Sequence, residues 1–355
     1  MFKPLTLIQG EIGLSSTIKI GDIVAEPGTR AKGFVKVAET SGFNIELPVN
    51  ILNGKLPGPT FAIIAGIHPV EYPPMEGAIR LANELDPSKM RGALITVPIF
   101  NMPGFQAKVP GAPLERTQLT MAFPGNPEGG MNDRAAHFIT TEILTKADYA
   151  IETHGCNFQE TCPNHIIMIR TGDQKFDSET AMLARCFDTE YVRRALETHI
   201  RDLPKKGYSL MTQCAKMNIP CILPEVGSAG GISSTTGQIR EEDIQWFMDG
   251  VKNFMRKVNM IDGESTLYDP NAVSQVHHFR SKSAGWFYPM APNGAKVTMG
   301  QVIGEVRDYF GAVKESIKAP ADGVISLIWT RPAVNQGSIL LQMFEIGPKV
   351  SSLIP

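Results

Sequence analysis

The chain lacks a surplus of either charge: among 355 residues, 34 Lys and Arg stand against 36 Asp and Glu, a formal net charge of −2. Non-specific nucleic-acid binding needs a basic excess that releases counterions from phosphates, so nucleic acid is not an expected partner. Nor does any apolar run approach the roughly 18 residues needed to cross a bilayer, and Met1 to Gly10 has no sustained hydrophobic stretch of the kind a signal peptide needs. Both absences predict a cytoplasmic protein with no membrane partner. Cysteine is scarce. The five residues Cys156, Cys162, Cys186, Cys214 and Cys221 are odd in number, sit in apolar or helical surroundings and form no C-x-x-C pair. They predict reduced thiols, and leave Cys156 and Cys162, close to His154, as a weaker thiolate alternative for a metal. No solenoid-length repeat and no low-complexity tract is present.

What is present is an ordinary globular composition, 43% hydrophobic and 20% charged, on a chain long enough for one large domain and a small one. Residues 17 to 66 read mostly as strands with turns at Pro27-Gly28, Asn53-Gly54 and Pro57-Gly58. A helix is predicted after Pro73-Pro74, where Ala78, Ile79, Ala82 and Leu85 recur at helical spacing. Another is predicted behind a cap at Asn132 or Asp133, and others from about Ser178, from about Tyr208 and over Glu241 to Val258. Between them Asn101 to Gly130 is aperiodic and rich in Pro and Gly, a loop long enough to suggest function. The alternation of strands and helices predicts an α/β domain over residues 1–262 with an N-terminal β extension. A linker is predicted at 263–280, and a small C-terminal all-β domain over 281–355, where helical periodicity gives way to short strands and Gly turns.

Three apolar runs end in groups that ligate metals or move protons. Thr60 to Glu71 (TFAIIAGIHPVE) brings His68 and Glu71 at H-x-x-E spacing, Tyr149 to His154 (YAIETH) brings His154, and Pro220 to Glu225 (PCILPE) brings Glu225. In an open α/β sheet the ligand crevice lies beyond the carboxyl ends of the strands, so these ends can meet although they are far apart in the chain. Two His and one Glu are a catalytic zinc set that leaves a position for water, whose pKa falls from about 15.7 to about 7 on the metal. A nearby carboxylate that takes the water's proton and returns it to a leaving nitrogen completes amide hydrolysis, and Glu225 fits that part. Each residue alone has a structural alternative: a strand-end His is commonly a hydrogen-bonded framework residue, and a Glu before Gly a cap. The joint pattern favours His68, Glu71 and His154 as ligands of one zinc per chain. Glu152, two residues before His154 and on its face of a regular strand, either orients that ligand or serves a structural ion pair. His137, His165, His199, His277 and His278 are not expected to be ligands.

In these motifs the chain resembles the succinylglutamate desuccinylase and aspartoacylase family, relatives of the zinc carboxypeptidases. Gly66-Ile-His-Pro-Val-Glu71 looks like its G-x-H-G-x-E metal motif, Glu152-Thr-His154-Gly155 like its D-x-H segment, and Glu225-Val-Gly227 like its catalytic Glu-x-Gly. Phe123-Pro-Gly125 followed by Gly129-Gly-Met-Asn-Asp-Arg134-Ala also fits. The resemblance implies a carboxypeptidase-like mixed β-sheet flanked by helices, followed by a barrel-sandwich-like domain. It implies a zinc-dependent hydrolase that removes the acyl group of a small N-acylated amino acid or amine, with His68, Glu71 and His154 on the metal and Glu225 as general base. Where the family has L-N-R before F-P-G, this chain has Leu119-Thr120-Met121-Ala122, so the Asn-Arg pair that grips a substrate carboxylate is absent. Lys108, Arg116 and Arg134 are the candidate replacements, each with surface or helix-start structure as its alternative. Pro69 stands at the family's Gly and stiffens the ligand loop. Tyr309 to Lys314 lacks the flanks of a lipoylated or biotinylated lysine, so the β domain reads as structural or as a wall of the site entrance, with Trp286, Phe287 and Tyr288 as possible lining groups. The rival readings are a metallocarboxypeptidase acting on peptides and a non-catalytic small-molecule binding protein of the same fold. No segment marks an interface, so a homo-oligomer stays open.

Overall fold

Three neighbouring parallel strands of one long sheet carry the motif residues. The computed structural model describes residues 15–115, 118–197, 207–227 and 229–353, and thirteen of its strands join this sheet. From one edge it passes through Thr29–Glu39, Asn44–Asn53, Arg91–Val97, Leu56–Ile64, Tyr149–Glu152, Cys221–Glu225, His165–Arg170, Tyr191–Glu197 and Asn271–Arg280. It then continues into Ile339–Lys349, Gly323–Trp329 and Lys296–Val297, with Glu160–Thr161 pairing alongside Gly323–Trp329. The strands before His68, before His154 and ending at Glu225 pair in parallel as adjacent members, so their carboxyl ends lie side by side. The next strand, His165–Arg170, is antiparallel to the Glu225 strand, which makes the sheet mixed.

Because helices cover both faces of the central strands, these read as continuous apolar runs rather than as alternating ones. Phe61, Ile63, Ile151 and Ile222 pack on one face against Phe247 and Phe254 of the helix Glu241–Lys257. Each of those fully buried rings contributes roughly 1.5–3 kcal/mol of burial. Ala62, Ile64, Ala150 and Leu223 face the other core with the helices Met131–Phe138 and Leu210–Lys216. The helix Tyr72–Glu84 begins with Pro73 and Pro74 in its first turn, as expected, where a missing N–H costs no helical bond.

Two helix starts differ from expectation for a physical reason. Gln174–Ala184 begins before Ser178 because the Asp173 carboxylate accepts from the Phe176 N–H and caps it. Met131–Phe138 has no side-chain cap of its own. Its free N–H groups at Met131 and Asn132 instead donate to the Glu115 carboxylate, 2.6 and 2.9 Å away, from across the loop. The predicted linker at 263–280 also differs: Asn271–Arg280, with His277 and His278 in it, is a strand. It pairs in parallel with Tyr191–Glu197 and antiparallel with Ile339–Lys349. Its polar, non-alternating sequence masks a strand that the ladders on both sides hold in place.

The C-terminal all-β region adds a second, four-stranded sheet of Val313–Lys318, Val302–Arg307, Gly285–Pro289 and Ala333–Val334 to the end of the long one. Phe287, Ile303, Val306, Leu340, Leu341 and Met343 fill the space between. Phe287 is therefore core, while Trp286 and Tyr288 are exposed at 45% and 38%.

Two local devices place the ligand loop. Gly66 turns the chain out of its strand at φ 70°, and a Cβ there would lie 3.0 Å from the Ile99 Cα. The buried Asn101 side chain donates to the carbonyls of Ile67 and Gly111, at 3.2 and 3.0 Å, and accepts from the Gly104 N–H at 2.9 Å. This ties the start of the Asn101–Gly130 segment, where Met102–Ala107 is a short helix rather than the expected loop, to the segment that bears His68. Beyond the strand ends, His154 and the Glu225 segment stay zipped: the His154 N–H donates to Pro224 O at 3.0 Å and the Val226 N–H to His154 O at 2.9 Å. Gly155 follows directly, and a Cβ on it would overlap the Val226 carbonyl oxygen. Gly155→Ala is expected to lower stability by about 1–3 kcal/mol through this backbone clash, read as a lower urea midpoint at unchanged slope. An unshifted midpoint would show that the zipper yields without cost.

Candidate active site

His68, Glu71 and His154 converge. One ligating atom from each lies within 4.8 Å of the others, and this group could hold a metal ion. His68 Nδ1 is 3.0 Å from Glu71 Oε1, His154 Nδ1 is 3.3 Å from Glu71 Oε2, and the two Nδ1 atoms are 3.1 Å apart. Glu71 and His154 are buried and His68 is partly exposed. Gly155 donates its N–H to Glu71 Oε2 at 3.0 Å, which fixes the carboxylate from the neighbouring strand.

The electrostatics favour positive charge at this point. Burial would raise the Glu71 carboxyl, but hydrogen bonds to His154 and His68 outweigh it and hold the group below its usual range. For His154 burial acts to lower the pKa, yet the carboxylates of Glu152 and Glu71 on either side raise it well above the ordinary imidazole value. His154 Nε2 is 3.2 Å from Glu152 Oε1, so Nδ1 is the nitrogen left facing His68 and Glu71. Glu152 Oε2 in turn accepts from the Met211 N–H at 2.7 Å. Two imidazole nitrogens and a carboxylate oxygen form a donor set suited to a borderline-soft divalent ion such as zinc.

Beside this group lies a cavity of about 170 Å³, lined by the triad and by Glu225, His165, Arg193, Ser326, Gln342 and Phe344 among others. Burial pushes the Glu225 carboxyl up to about 7, with His154 opposing and Glu71 reinforcing the rise. A carboxyl poised there can both take and give a proton near neutrality. His165, opposite Glu225 in the ladder, donates from Nδ1 to Pro163 O at 2.9 Å. Burial pulls it down to about 4, so it is a neutral wall residue outside the triad.

Other expected residues lie elsewhere. Lys108 and Arg134 are exposed and line neither this cavity nor the adjoining one of about 260 Å³ bounded by His68, Asn101, Thr120 and Asn157. Arg134 Nε donates to Gly129 O at 2.9 Å, consistent with its structural alternative. Arg116 and His199 lie outside the described residues. His137 is on the helix Met131–Phe138. The C-terminal domain does wall the site, but through Ser326, Leu327, Gln342 and Phe344 rather than Trp286, Phe287 or Tyr288. Lys314 is held at its strand, donating to Ala284 O at 2.6 Å.

The expectation of reduced thiols fails at one pair. Cys156 and Cys162 form a disulfide at the cavity wall, while Cys186, Cys214 and Cys221 are free and buried. Between them the chain reverses at a turn in which the Glu160 N–H donates to Asn157 O at 3.0 Å, and this brings the two cysteines together. The pair is thereby removed as a thiolate ligand set. Arg193, Ser326 and Gln342, with Asn157, Glu160, Leu327 and Phe344, are cavity residues that sequence reading missed. Arg193 lies in the run Tyr191 to Glu197 (YVRRALE), which has neither alternation nor a motif.

Comparison with known proteins agrees with this architecture. Residues 57–258 match the succinylglutamate desuccinylase/aspartoacylase catalytic domain. The chain is 23% identical over 332 residues to the N-alpha-acetyl-L-2,4-diaminobutyric acid deacetylase of Halomonas elongata, covering 88% of this chain and 91% of the relative. Among solved structures, the product-bound ectoine utilization protein EutE (DoeB) of Ruegeria pomeroyi superposes with a TM-score of 0.78 at 19% identity, covering 94% of this chain and 99% of that one. A succinylglutamate desuccinylase/aspartoacylase of Rhodobacter sphaeroides gives 0.77 at 20% identity, covering 89% and 96%. The matched catalytic domain spans more than half of the chain, which belongs to the succinylglutamate desuccinylase/aspartoacylase family.

Proposed function

We propose that this protein is a zinc-dependent deacylase of small N-acyl amino acids, with His68, Glu71 and His154 as the metal ligands and Glu225 as general base. The observation that carries this reading is the convergence of the three donors, with Glu225 beside them in one small cavity. Zinc held there would supply a coordinated water of pKa about 7 and polarise the acyl carbonyl. Glu225 accepts the proton of the attacking water and delivers it to the amide nitrogen as the C–N bond breaks, leaving a carboxylate and a free amine. Glu152, itself held by the Met211 N–H, fixes the His154 ring so that Nδ1 faces the metal position.

The cavities at the triad are small, which supports a small substrate: one of about 170 Å³ holds the triad and Glu225, and one of about 260 Å³ shares His68 and Asn157 with it. Together they lie at the lower end of the roughly 300–1,000 Å³ typical of small-molecule pockets. The similarity to an enzyme that deacetylates a diaminobutyrate supports an N-acetylated amino acid as substrate.

The purified protein is expected to carry near one zinc per chain, and His154→Ala to lose most of it. Elemental analysis showing equal zinc in both would remove His154 from the site. Glu225→Gln is expected to keep its zinc and lower kcat for N-α-acetyl-L-2,4-diaminobutyrate by about 10²–10⁴-fold. Wild-type turnover in that variant would rule Glu225 out as the base.

A further inference from the structure

We propose that Arg193, with Ser326 and Gln342 of the C-terminal domain, forms the carboxylate-binding end of the cavity and selects N-acyl amino acids over neutral N-acyl amines. This rests on the deacylase reading, and it supplies a cation that none of Lys108, Arg134 or the Thr120-Met121 pair brings to the site.

Geometry carries the assignment. Among the described residues, Arg193 is the one Lys or Arg lining the cavity that also holds the triad and Glu225. Its neighbour Val192 faces the core that contains Ile166 and Ile222, so by strand alternation Arg193 faces the side of Ile167 and Leu223, the side from which Glu225 projects. The pairings Arg193 with Ile167 and Glu225 with His165 put one strand between the two residues. The backbones are then about 10 Å apart across the sheet and offset by about 7 Å along it, roughly 12 Å in all. A small substrate fits within that span, with its scissile amide at the triad and its α-carboxylate turned toward the guanidinium.

The groups at this end lack protein partners of the kind they need. Arg193 is partly buried, and among the described residues it makes no hydrogen bond or ion pair. Glu225 acts on it electrostatically without pairing with it. A sheltered guanidinium with unused donors is costly unless an anion completes it, and its planar fork matches a carboxylate. Ser326, 2% exposed, is an independent sign: its Oγ is buried and has no hydrogen-bond partner. Gln342, from the neighbouring strand Ile339–Lys349, adds an amide to the same wall. A substrate carboxylate would satisfy groups that the folded chain leaves open, and would do so across the boundary between the two domains.

The test compares N-α-acetyl-L-2,4-diaminobutyrate with its α-carboxamide, in wild-type, Arg193→Ala and Ser326→Ala proteins, by kinetics and by calorimetric binding to zinc-loaded protein. Arg193→Ala is expected to lower kcat/KM for the carboxylate by about 100-fold, chiefly through KM, and to leave the carboxamide within about threefold of wild type. Added guanidinium should restore part of the loss, which a merely structural role would not allow. Ser326→Ala should produce a smaller loss, again for the carboxylate alone. Equal losses on both probes, or none on either, would overturn the assignment while leaving the hydrolase reading intact. Arg193-dependent preference in binding without turnover would support the assignment and sink the hydrolase reading. A wild-type protein that neither binds nor hydrolyses either probe would overturn both. Unchanged zinc content and melting temperature in Arg193→Ala exclude misfolding as the cause.

Discussion

The site depends on one constraint: the carboxyl ends of three adjacent parallel strands are held in register past the point where the sheet stops. The exchange between His154 and the Pro224–Val226 segment, with no side chain at Gly155 to push them apart, fixes the His154 ligand against the Glu225 strand. The Glu71 carboxylate then closes the set by accepting from the Gly155 N–H, so the loop after the first strand is pinned to the turn after the second. Two ligands from one loop, His68 and Glu71, and a third far along the chain, His154, become one donor set through the backbone pairing of His154 with Pro224 and Val226 and the bond from the Gly155 N–H to the Glu71 carboxylate.

That placement accepts an electrostatic cost. Two buried carboxylates, Glu71 and Glu152, flank His154, and a third, Glu225, stands close enough for burial and Glu71 to push it up to about 7. The raised proton affinity of His154 shows how strongly this position attracts positive charge. A divalent ion relieves the same conflict more fully. The C-terminal domain completes the arrangement on the far side, narrowing the cavity with Ser326, Gln342 and Phe344.

Much of this was legible in the sequence because the informative residues follow long apolar runs. The rule that ligands sit at the ends of parallel strands needs only those runs to be recognised, and TFAIIAGIHPVE and PCILPE are unambiguous. Other features depend on partners that no local pattern encodes. Asn271–Arg280 is a strand because two ladders hold it, and Met131–Phe138 is capped by Glu115 from another segment. Arg193 belongs to the same group. Its strand has no alternation, and its relation to the site appears only when the order of the sheet is known. Lys108 and Arg134 stood out in sequence because they lie near motifs, yet nearness along a long loop did not carry them to the cavity.

The most direct test of the account is anomalous diffraction at the zinc absorption edge from crystals of the zinc-loaded protein. The account predicts one peak per chain, about 2.0–2.2 Å from His68 Nδ1, His154 Nδ1 and a Glu71 oxygen, with Glu225 outside the coordination sphere. A peak elsewhere, or one in which Glu225 replaces any of the three as ligand, would contradict it.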